Sequence, residues 1–448
     1  MDAERRTHIV RGIARNPSTP PGLVRQLIGE PDALRELCRC REDLTADLAE
    51  AIVAAGERAG GKGVADWLGD NGSLSVEVMW FLARQPDPAI RQAAVLYDSW
   101  DGAPVGDVPV DLLEFLADDP DPMVRWAVVA HPHTPPEILA RLAADPEDRV
   151  RAKVAATWWN PPGRIRRQML TDPSAAVRNW ALSEPPPADL LPGLFADPAT
   201  RFKALPYVTL TPELAEELCE DPTMRPALAA HPGLPEKVRD LLVDDPDCRL
   251  GLLTNSSTPT DLRLRLYEPK DHTLRVGLRW LAAAPLRERL TYLDSPLPFL
   301  RLEAARGADL PKEAVLRLLK DQDSGVRRVA ARHDDVPGEA LEALVEEYPA
   351  YRSLLDHPRF PRDAFVRFAG SRVATVRAVA CHDPDLPGDL VARLAADEDV
   401  DVRRSAAEHP HLPLHVLSQL LHEDLPAVAE PAAANPALPA TWMGPLLA

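Results

Sequence analysis

Residues 119–156 read DPDPMVRWAVVAHPHTPPEILARLAADPEDRVRAKVAA, and they contain one full period of the pattern that decides the fold. The pair Val124-Arg125 recurs at Val150-Arg151 and Val177-Arg178, and an Asp-Pro pair recurs at similar intervals. About 17 such units fill almost the whole chain of 448 residues. This regularity predicts a repeat protein rather than a set of unrelated domains. Single arginines continue the series at intervals of 24 to 26 residues: Arg225, Arg249, Arg275, Arg301, Arg327, Arg352, Arg377 and Arg403.

Each unit is predicted to form two short helices, here called the first and the second helix. Aspartate at a helix start accepts hydrogen bonds from free backbone N–H groups, and proline suits the first helical position. The first helix, MVRWAVVA, ends at His131-Pro132 because the residue before a proline is kept out of the α region. Thr134 and Glu137 have the spacing of a capping box, which predicts the start of the second helix. Its buried stripe is predicted to consist of Ile138, Leu139 and Leu142.

One pair of short helices cannot bury both of its faces, whereas units stacked side by side can. The consensus DPxxxVRxAVAxHPxxPxEILxRLAxDP resembles the leucine-rich repeat variant family, and its first half is similar to HEAT-like repeats. The resemblance implies an all-α protein, an alpha-solenoid forming a right-handed superhelix of about 17 two-helix repeats of 24–27 residues. Residues 1–448 are then a single solenoid, with the best repeats at 119–175, 221–255 and 375–436. Residues 56–75 and 98–111, rich in Gly, Asp and Pro, are predicted to be loop insertions.

Composition limits the classes of partner and cofactor. One type of member in the family that this chain resembles carries an amino-terminal iron–sulfur cluster held by several cysteines. Here only Cys38 and Cys40 lie near the amino terminus. Because such a cluster usually needs four thiolates, we expect no cofactor. The net charge of −18 disfavours nucleic acid and anionic membranes as partners. No apolar run has the length of a signal peptide or a membrane span, so we expect a cytoplasmic protein with free thiols. The excess of Arg over Lys, with much Ala and Pro, indicates a bacterial source.

The most regular charged residues are an aspartate and an arginine six residues apart in the same unit. One interpretation is a ladder of arginines presented to an acidic partner. The other is a structural Asp–Arg pair, hydrogen-bonded within or between units, that fixes their stacking. Repetition in nearly every unit favours the structural interpretation, since a specific site needs only a few copies. The members of this Asp–Arg ladder are Asp119 and Arg125, Asp145 and Arg151, Asp172 and Arg178, Asp321 and Arg327, and Asp397 and Arg403.

Histidines recur where the first helix ends, a place here called the helix-end position. His131 and His133 could suggest a metal site, but such a site needs three or four converging ligands. Histidine and asparagine alternate at this position, and both can hydrogen-bond to nearby backbone, so we expect a helix-end role and no metal. The position is assigned to Asn16, His131, Asn160, His231, Asn255, His357, His409 and Asn435.

The pattern fails in residues 156–170, ATWWNPPGRIRRQML, where tryptophans replace the usual helix-end residues and the second helix has arginines but no acid. Exposed Trp and Arg are enriched at binding hot spots. The alternative is that a tryptophan packs in the core and the arginines form a solvated face. The candidate binding residues are Trp126, Trp158, Trp159, Arg164, Arg166, Arg167 and Trp180.

Two classes of function are consistent with the sequence. The repeats and the lack of catalytic motifs such as Gly-x-Ser-x-Gly favour a non-enzymatic scaffold that binds a protein or peptide along the solenoid surface. The alternative is a HEAT-like enzyme or nucleic-acid-binding protein that uses the Trp/Arg patch at 126–180, since DNA glycosylases and bilin lyases exist on similar solenoids. In the last unit, Ala429 replaces the expected arginine. Its helix is then either frayed or in contact with a partner or a second copy, which would give a homo-oligomer through the C-terminal repeat.

Overall fold

The computed structural model describes residues 3–58, 63–95, 108–268 and 278–447, and these residues contain helices and no strand. The first thirteen helices are α1 Ala3–Arg15, α2 Pro21–Leu27, α3 Pro31–Cys40, α4 Ala46–Arg58, α5 Val64–Gly69, α6 Val76–Leu82, α7 Pro88–Ala93, α8 Val110–Ala117, α9 Pro122–Ala130, α10 Pro136–Leu142, α11 Asp148–Thr157, α12 Gly163–Leu170 and α13 Ala175–Ala181. The next are α14 Leu191–Ala196, α15 Arg201–Ala204, α16 Pro212–Glu220, α17 Arg225–Ala229, α18 Glu236–Leu242, α19 Arg249–Thr254, α20 Thr260–Leu266, α21 Arg279–Ala282, α22 Leu286–Tyr292, α23 Pro298–Ala305, α24 Lys312–Leu318, α25 Ser324–Ala330 and α26 Gly338–Glu347. The last are α27 Ala364–Phe368, α28 Ala374–Ala380, α29 Gly388–Ala395, α30 Val400–Ala407, α31 Leu414–Leu421, α32 Pro426–Ala434 and α33 Ala440–Leu447.

The helices follow each other as the repeat pattern predicts. Together with the short 3-10 helix Arg352–Leu354, the 33 α-helices of the described residues make 17 pairs of a first and a second helix. The all-α class and the architecture of two-helix repeats are therefore confirmed. None of the described helices is long and apolar enough to cross a membrane.

The chain divides into two compact units. Unit 1 contains residues 1–181 and 362–448, and unit 2 contains residues 182–361. Within unit 1, the first helices α7, α9, α11 and α13 pack side by side, each against the next. Within unit 2, α17 packs on α19 and α23 packs on α25 in the same way. The assignment of all 448 residues to a single solenoid stays a prediction.

Helix α9 shows why each first helix starts and stops where it does. The side chain of Asp121 caps the helix by accepting from the Met123 N–H, and Pro122 occupies the first helical position. The buried valines and alanines of α9 fill the core, and the helix ends at His131. Asp119, the aspartate of the recurring Asp-Pro pair, does not cap α9 as predicted. It lies two residues before the cap and accepts from the Asp121 N–H at 2.9 Å.

The predicted capping box of the second helix is wrong. Helix α10 begins at Pro136, and no side chain caps its amino terminus. The hydroxyl of Thr134 instead donates to the carbonyl oxygen of Val128 at 2.6 Å. This carbonyl oxygen near the end of α9 also accepts from the His131 N–H at 3.2 Å, and the two hydrogen bonds fix the turn between the helices.

Small residues let neighbouring first helices approach closely. At Gly251 of α19, an added Cβ would lie 2.9 Å from the Cβ of Ala229 on α17 and 2.9 Å from the Pro226 carbonyl oxygen. Four residues later, Asn255 donates its side-chain N–H groups to the carbonyl oxygens of Ala229 and His231, both at 2.8 Å. A glycine and an asparagine thus join one repeat to the preceding one.

The same contact joins the first repeat to the last within unit 1. A Cβ added at Gly12 would lie 2.4 Å from the carbonyl oxygen of Glu430 and 2.6 Å from the Cβ of Ala433. Asn16 donates to the carbonyl oxygens of Ala433 and Asn435, at 3.0 and 2.6 Å. Helix α1 therefore packs on α32 as if it were the next first helix of the array.

This packing corrects the expectation for the C-terminal repeat. Val428, Ala429 and Ala432 are fully buried, so α32 is neither frayed nor in need of a second copy to cover it. Ala429, at the position where other repeats carry the ladder arginine, is one of these buried residues. The neighbouring Glu430 is paired with Arg15 at 3.0 Å and with His8 at 2.5 Å.

The first of the two predicted loop insertions is wrong over much of its length. In residues 56–75, α4 continues to Arg58 and a further helix, α5, spans Val64–Gly69. Gly63 has a φ of 93°, a left-handed conformation that glycine adopts without strain, and it opens α5. Residues 59–62, and residues 98–107 of the second predicted loop, lie outside the described residues.

Candidate functional site

The arginine of the opening stretch bonds to two consecutive repeats. Arg125 donates from Nε and Nη2 to the two carboxylate oxygens of Asp145, at 2.7 and 2.8 Å. Its Nη1 donates to the main-chain carbonyl oxygen of Asp119 at 2.8 Å. The bond inside the repeat therefore goes to the backbone of the aspartate, and the ion pair goes to the aspartate of the following repeat.

This arrangement recurs through both units. The two-pronged ion pairs have donor–acceptor distances of 2.7 to 2.9 Å in Arg91–Asp119, Arg125–Asp145, Arg151–Asp172, Arg301–Asp321 and Arg377–Asp397. Arg403 makes the equivalent pair with Glu423. Arg178 donates to the Asp172 carbonyl oxygen at 2.7 Å. Arg327 donates to the Asp321 carbonyl oxygen at 2.6 Å, and its guanidinium lies 4.4 Å above the ring of Tyr348.

Asp172 is buried and Asp397 is half-buried, yet each has a pKa below its ordinary value. At Asp172, burial pushes the pKa up, but hydrogen bonds from Arg151 and from the Ser174 N–H outweigh it, so the pKa lies below its ordinary value. At Asp397, the hydrogen bond from Arg377 is the largest effect and lowers the pKa. Because these carboxylates and guanidinium groups are used inside the chain, the ladder offers few free donors to a ligand.

Histidine and asparagine make equivalent bonds at the helix-end position. Nε2 of His231 faces the Val208 carbonyl oxygen of the preceding repeat at 3.1 Å, and Nδ1 accepts from the Gly233 N–H at 3.0 Å. In Asn255, Nδ2 and Oδ1 do the same: Nδ2 donates to the preceding repeat, and Oδ1 accepts from the Ser257 N–H. Among the described residues, no three or more His, Cys, Asp or Glu side chains are grouped to hold a metal ion.

One assignment to the helix-end position is wrong. Helix α11 ends with Trp158 as its cap, so Trp158 and not Asn160 occupies this position. Asn160 is exposed to solvent. Helix α10 begins five residues after His131, and α12 begins five residues after Trp158. The Asn160-Pro161 dipeptide therefore lies two residues beyond the helix-end position.

The tryptophans of the candidate patch differ in exposure. Trp159 exposes 67% and Trp180 exposes 54% of its surface, whereas Trp126 and Trp158 are half-buried. The ammonium group of Lys153 lies 4.6 Å above the ring of Trp126, and burial lowers its pKa. Lys153 and Trp180 both lie two residues after a ladder arginine, so they hold the same position on the adjacent first helices α11 and α13.

Helix α12 brings positive charge to the same repeats. Arg164 and Arg167 are exposed, Arg166 is half-buried, and the helix contains no acidic residue. The nitrogen of the Gln168 side chain donates to the Ala143 carbonyl oxygen at 3.0 Å and ties α12 to the preceding repeat. Trp180 and the exposed arginines are thus carried on helices, whereas Trp159 lies in the short turn between α11 and α12.

Sequence reasoning missed a series of buried arginines in unit 2. Arg239, Arg263 and Arg289 are exposed by 8%, 2% and 5% on the second helices α18, α20 and α22. Each lies four residues after the proline that precedes the helix, where other repeats have Val24, Leu139, Val315 or Val391. Aligning the repeats on that proline would have shown the exchange of an apolar residue for a charged one.

Two of these arginines bond to the turn before their helix. Arg263 donates to the carbonyl oxygens of Asn255 and Ser256, and Arg289 donates to the carbonyl oxygen of Ala284 and to Asp309. The guanidinium of Arg289 fills the space beside Gly307, where an added Cβ would lie 1.4 Å from Nη1. These arginines therefore connect parts of unit 2 to each other, and they do not offer their charge to a ligand.

The comparisons with known proteins agree with the repeat pattern. The family model described as leucine rich repeat variant matches residues 122–147, which span α9 and α10, and this match confirms the resemblance seen in the sequence. No curated protein matches the chain. A crystal structure of an engineered protein from a structural genomics consortium is similar at 15% identity, covering 95% of this chain and 98% of that chain. Its TM-score is 0.17.

Proposed function

We propose that this helical repeat protein is a non-enzymatic interaction scaffold that binds an acidic segment of another protein through the repeats containing α9 to α13. The observation that carries the proposal is that Trp159 and Trp180, on neighbouring repeats, each expose more than half of their surface. We call the surface formed by Trp126, Lys153, Trp159, Arg164 and Trp180 the tryptophan surface.

Exposed tryptophans favour a protein partner. A large aromatic ring gains about 25 cal/mol for each Å² of apolar surface removed from water. Tryptophan and arginine are also the side chains most enriched among residues that dominate binding energy at interfaces. A monomeric protein has little reason to keep two such rings largely in water on adjacent repeats.

The charges beside these rings favour an acidic partner. Arg164 is exposed, and among the described residues it has no ion pair or hydrogen bond. Lys153 adds a second cation, held over Trp126. The chain as a whole is acidic, with 69 Asp and Glu against 51 Lys and Arg, whereas α12 has no acidic residue. Guanidinium groups bind carboxylates with strong, oriented hydrogen bonds.

The test is a selection of peptides from a displayed random library on the intact protein, followed by affinity measurements on a doubly substituted variant. Trp159→Ala with Trp180→Ala is expected to weaken binding of the selected peptides by about 30-fold, the loss of one strong hot spot. The selected peptides are expected to be rich in Asp and Glu. Phe202→Ala is the matched control, since this ring is 48% exposed on α15 in unit 2.

Two results would contradict the proposal. One is equal affinity of wild type and the Trp159→Ala, Trp180→Ala variant for every selected peptide. The other is competition by a single-stranded oligonucleotide at the same surface, which would favour the nucleic-acid alternative. Both substituted side chains are largely exposed, so an unchanged melting temperature is expected and shows that the variant is folded.

A further inference from the structure

A cleft of about 780 Å³ in unit 2 combines an apolar floor with a cationic rim. It lies between the neighbouring first helices α23 and α25 and their connections to the second helices. Leu302, Leu310, Val315 and Val329 supply the apolar lining. The charged lining consists of Arg306, Arg328, Arg332, His333, Asp334 and Asp335.

The arginines are particular to these two repeats. Arg306 and Arg332 each lie five residues after a ladder arginine, a position that is Ala130 and Ala230 in other repeats. Neither residue is needed for stacking, because the ladder bonds are made by Arg301 and Arg327. Two consecutive repeats thus place an arginine at the same position beside one cleft.

Two of the three arginines that line the cleft are not neutralised by a carboxylate of the described residues. Arg328 is half-buried and Arg332 exposed, and neither has an ion pair or a hydrogen bond within the described part of the chain. Other exposed arginines of unit 2 do have such a pair, for example Arg317 with Asp294 at 3.1 Å. In a chain with an excess of carboxylates, unpaired arginines that line a cleft call for an explanation.

The acids near the cleft do not form ion pairs with Arg328 or Arg332. Asp335 is paired with Arg359 at 3.5 Å, and the Asp334 carboxylate lies beyond ion-pair distance of both Arg328 and Arg332. Arg306 lies 3.5 Å from Glu303, which is 4% exposed, and burial raises the pKa of that carboxyl. His333 is fixed by Nε2, which lies 2.8 Å from the Ala305 carbonyl oxygen.

We propose that this cleft binds an organic anion in which one carboxylate or phosphate group is attached to an apolar portion. The guanidinium groups of Arg328 and Arg332 are placed to hold the anionic group by charge-assisted hydrogen bonds. The apolar portion lies on Leu302, Leu310, Val315 and Val329, which keep water away from the charged contact. Binding sites for small molecules commonly combine an apolar lining with a few oriented polar groups in a volume of this size.

The experiment is isothermal titration calorimetry of the full chain with four probes: octanoate, octyl phosphate, octanol and inorganic phosphate. We expect octanoate or octyl phosphate to bind one to one, and the tighter of the two identifies the anionic group. Octanol lacks the charge and inorganic phosphate lacks the apolar portion, so both are expected to bind at least about tenfold more weakly.

Variants assign the binding to the cleft. Arg328→Gln with Arg332→Gln is expected to weaken binding by about tenfold or more, whereas Arg317→Gln, which removes an exposed and paired arginine of α24, leaves it unchanged. Val329→Trp keeps the arginines and fills the cleft, so it is expected to abolish binding. The Trp159→Ala, Trp180→Ala variant is expected to bind as wild type, which separates this proposal from the proposed function.

Three results would overturn the inference. The first is no binding of octanoate or octyl phosphate by the wild-type protein. The second is binding that is unchanged in both the double arginine variant and Val329→Trp. The third is octanol binding as tightly as octanoate, since the arginines would then contribute nothing.

Discussion

Single buried polar residues connect the repeats, and histidine and asparagine can make the same set of bonds with different atoms. His231 uses Nε2 and Nδ1 where Asn255 uses Nδ2 and Oδ1. In both cases the nitrogen contacts a carbonyl oxygen of the preceding repeat and the acceptor holds the backbone two residues later. This equivalence explains why histidine and asparagine alternate, and it makes the histidines sensitive to protonation, because Nδ1 must remain an acceptor.

His131 gives the sharpest prediction at this scale. Burial, with a smaller contribution from His133, lowers the pKa of His131 to about 4, against about 6.5 in an unfolded chain. Between these two pH values the unfolded chain binds a proton that the folded protein does not, so stability falls as the pH decreases from about 6.5 to about 4. Over the whole interval the loss due to His131 is on the order of 3 kcal/mol. Above pH 6.5 the residue has no pH-dependent effect.

The test is thermal melting of wild type and His131→Asn at pH 7 and at pH 5. Asparagine stands at the same position in other repeats, so the variant is expected to be folded at pH 7 and to lose less stability at pH 5 than wild type. His415→Asn is the control, because this side chain is exposed and lies in another repeat. Equal pH dependence of wild type and His131→Asn would refute the assignment.

Some residue roles could be read from the sequence and others could not. The helix-end roles of His131, His231 and Asn435 follow from their repetition, because each is followed by a proline that ends a helix. The exposure of Trp159 could not be read, since a tryptophan beside another tryptophan fits a core or a surface equally well. A break in the repeat consensus shows which position is unusual. Only the packing shows whether the side chain at that position is buried or exposed.

At the scale of helices, the ladder joins each first helix to the next repeat. Asp145 is 6% exposed, and its carboxylate accepts both prongs of Arg125 as well as the Glu147 N–H. Removing Arg125 would leave a buried carboxylate without its cation, a change that typically costs about 3 to 5 kcal/mol. The bond to the Asp119 carbonyl oxygen, which helps to hold the start of α9, would also be lost.

We therefore expect Arg125→Leu to lower the melting temperature and to increase hydrogen exchange in α9 and α11 before other helices. Arg149→Leu is the matched control, an exposed arginine of α11 for which we expect a change within about 0.5 kcal/mol. Hydrogen exchange followed by mass spectrometry resolves the two helices. Equal protection of α9 in both variants would show that the ladder does not stabilise the stacking.

The sequence predicted the helices better than the bonds between them. Proline and apolar spacing place α9 and α10 within a few residues, because these local signals act within one repeat. The capping box failed because Thr134 can bond either to its own helix or back to α9, and only the structure of the turn decides between them. The sequence also left the partner of the ladder arginine undecided. For Arg125, Asp119 lies six residues away in the same repeat and Asp145 lies 20 residues away in the next repeat.

At the scale of the whole chain, the two ends of the sequence belong to the same unit. The repeat pattern could not predict this, because every repeat has nearly the same stacking surface and the pattern does not say which repeats meet. A signal was nevertheless present. Gly12 and Asn16 have the spacing of Gly251 and Asn255, and the structure gives both pairs the same contacts with a preceding repeat. A first repeat that carries a complete set of residues for contact with a preceding one is built to have such a neighbour.

The first and last repeats of unit 1 meet through the same type of contact that joins Asn435 to the repeat before it. Ser18, which donates to the Pro436 carbonyl oxygen at 2.8 Å, lies beside Ala437, and both can be replaced by cysteine in a Cys40→Ser background that removes the exposed thiol. The measurement is cross-linking of Ser18→Cys with Ala437→Cys by a short bismaleimide in dilute protein, followed by peptide mass spectrometry. We expect a cross-link within one chain, and we expect it to be lost when Gly12→Leu is added, because a side chain at this position would clash with α32. A cross-link found only between two chains, or none at all, would contradict this expectation.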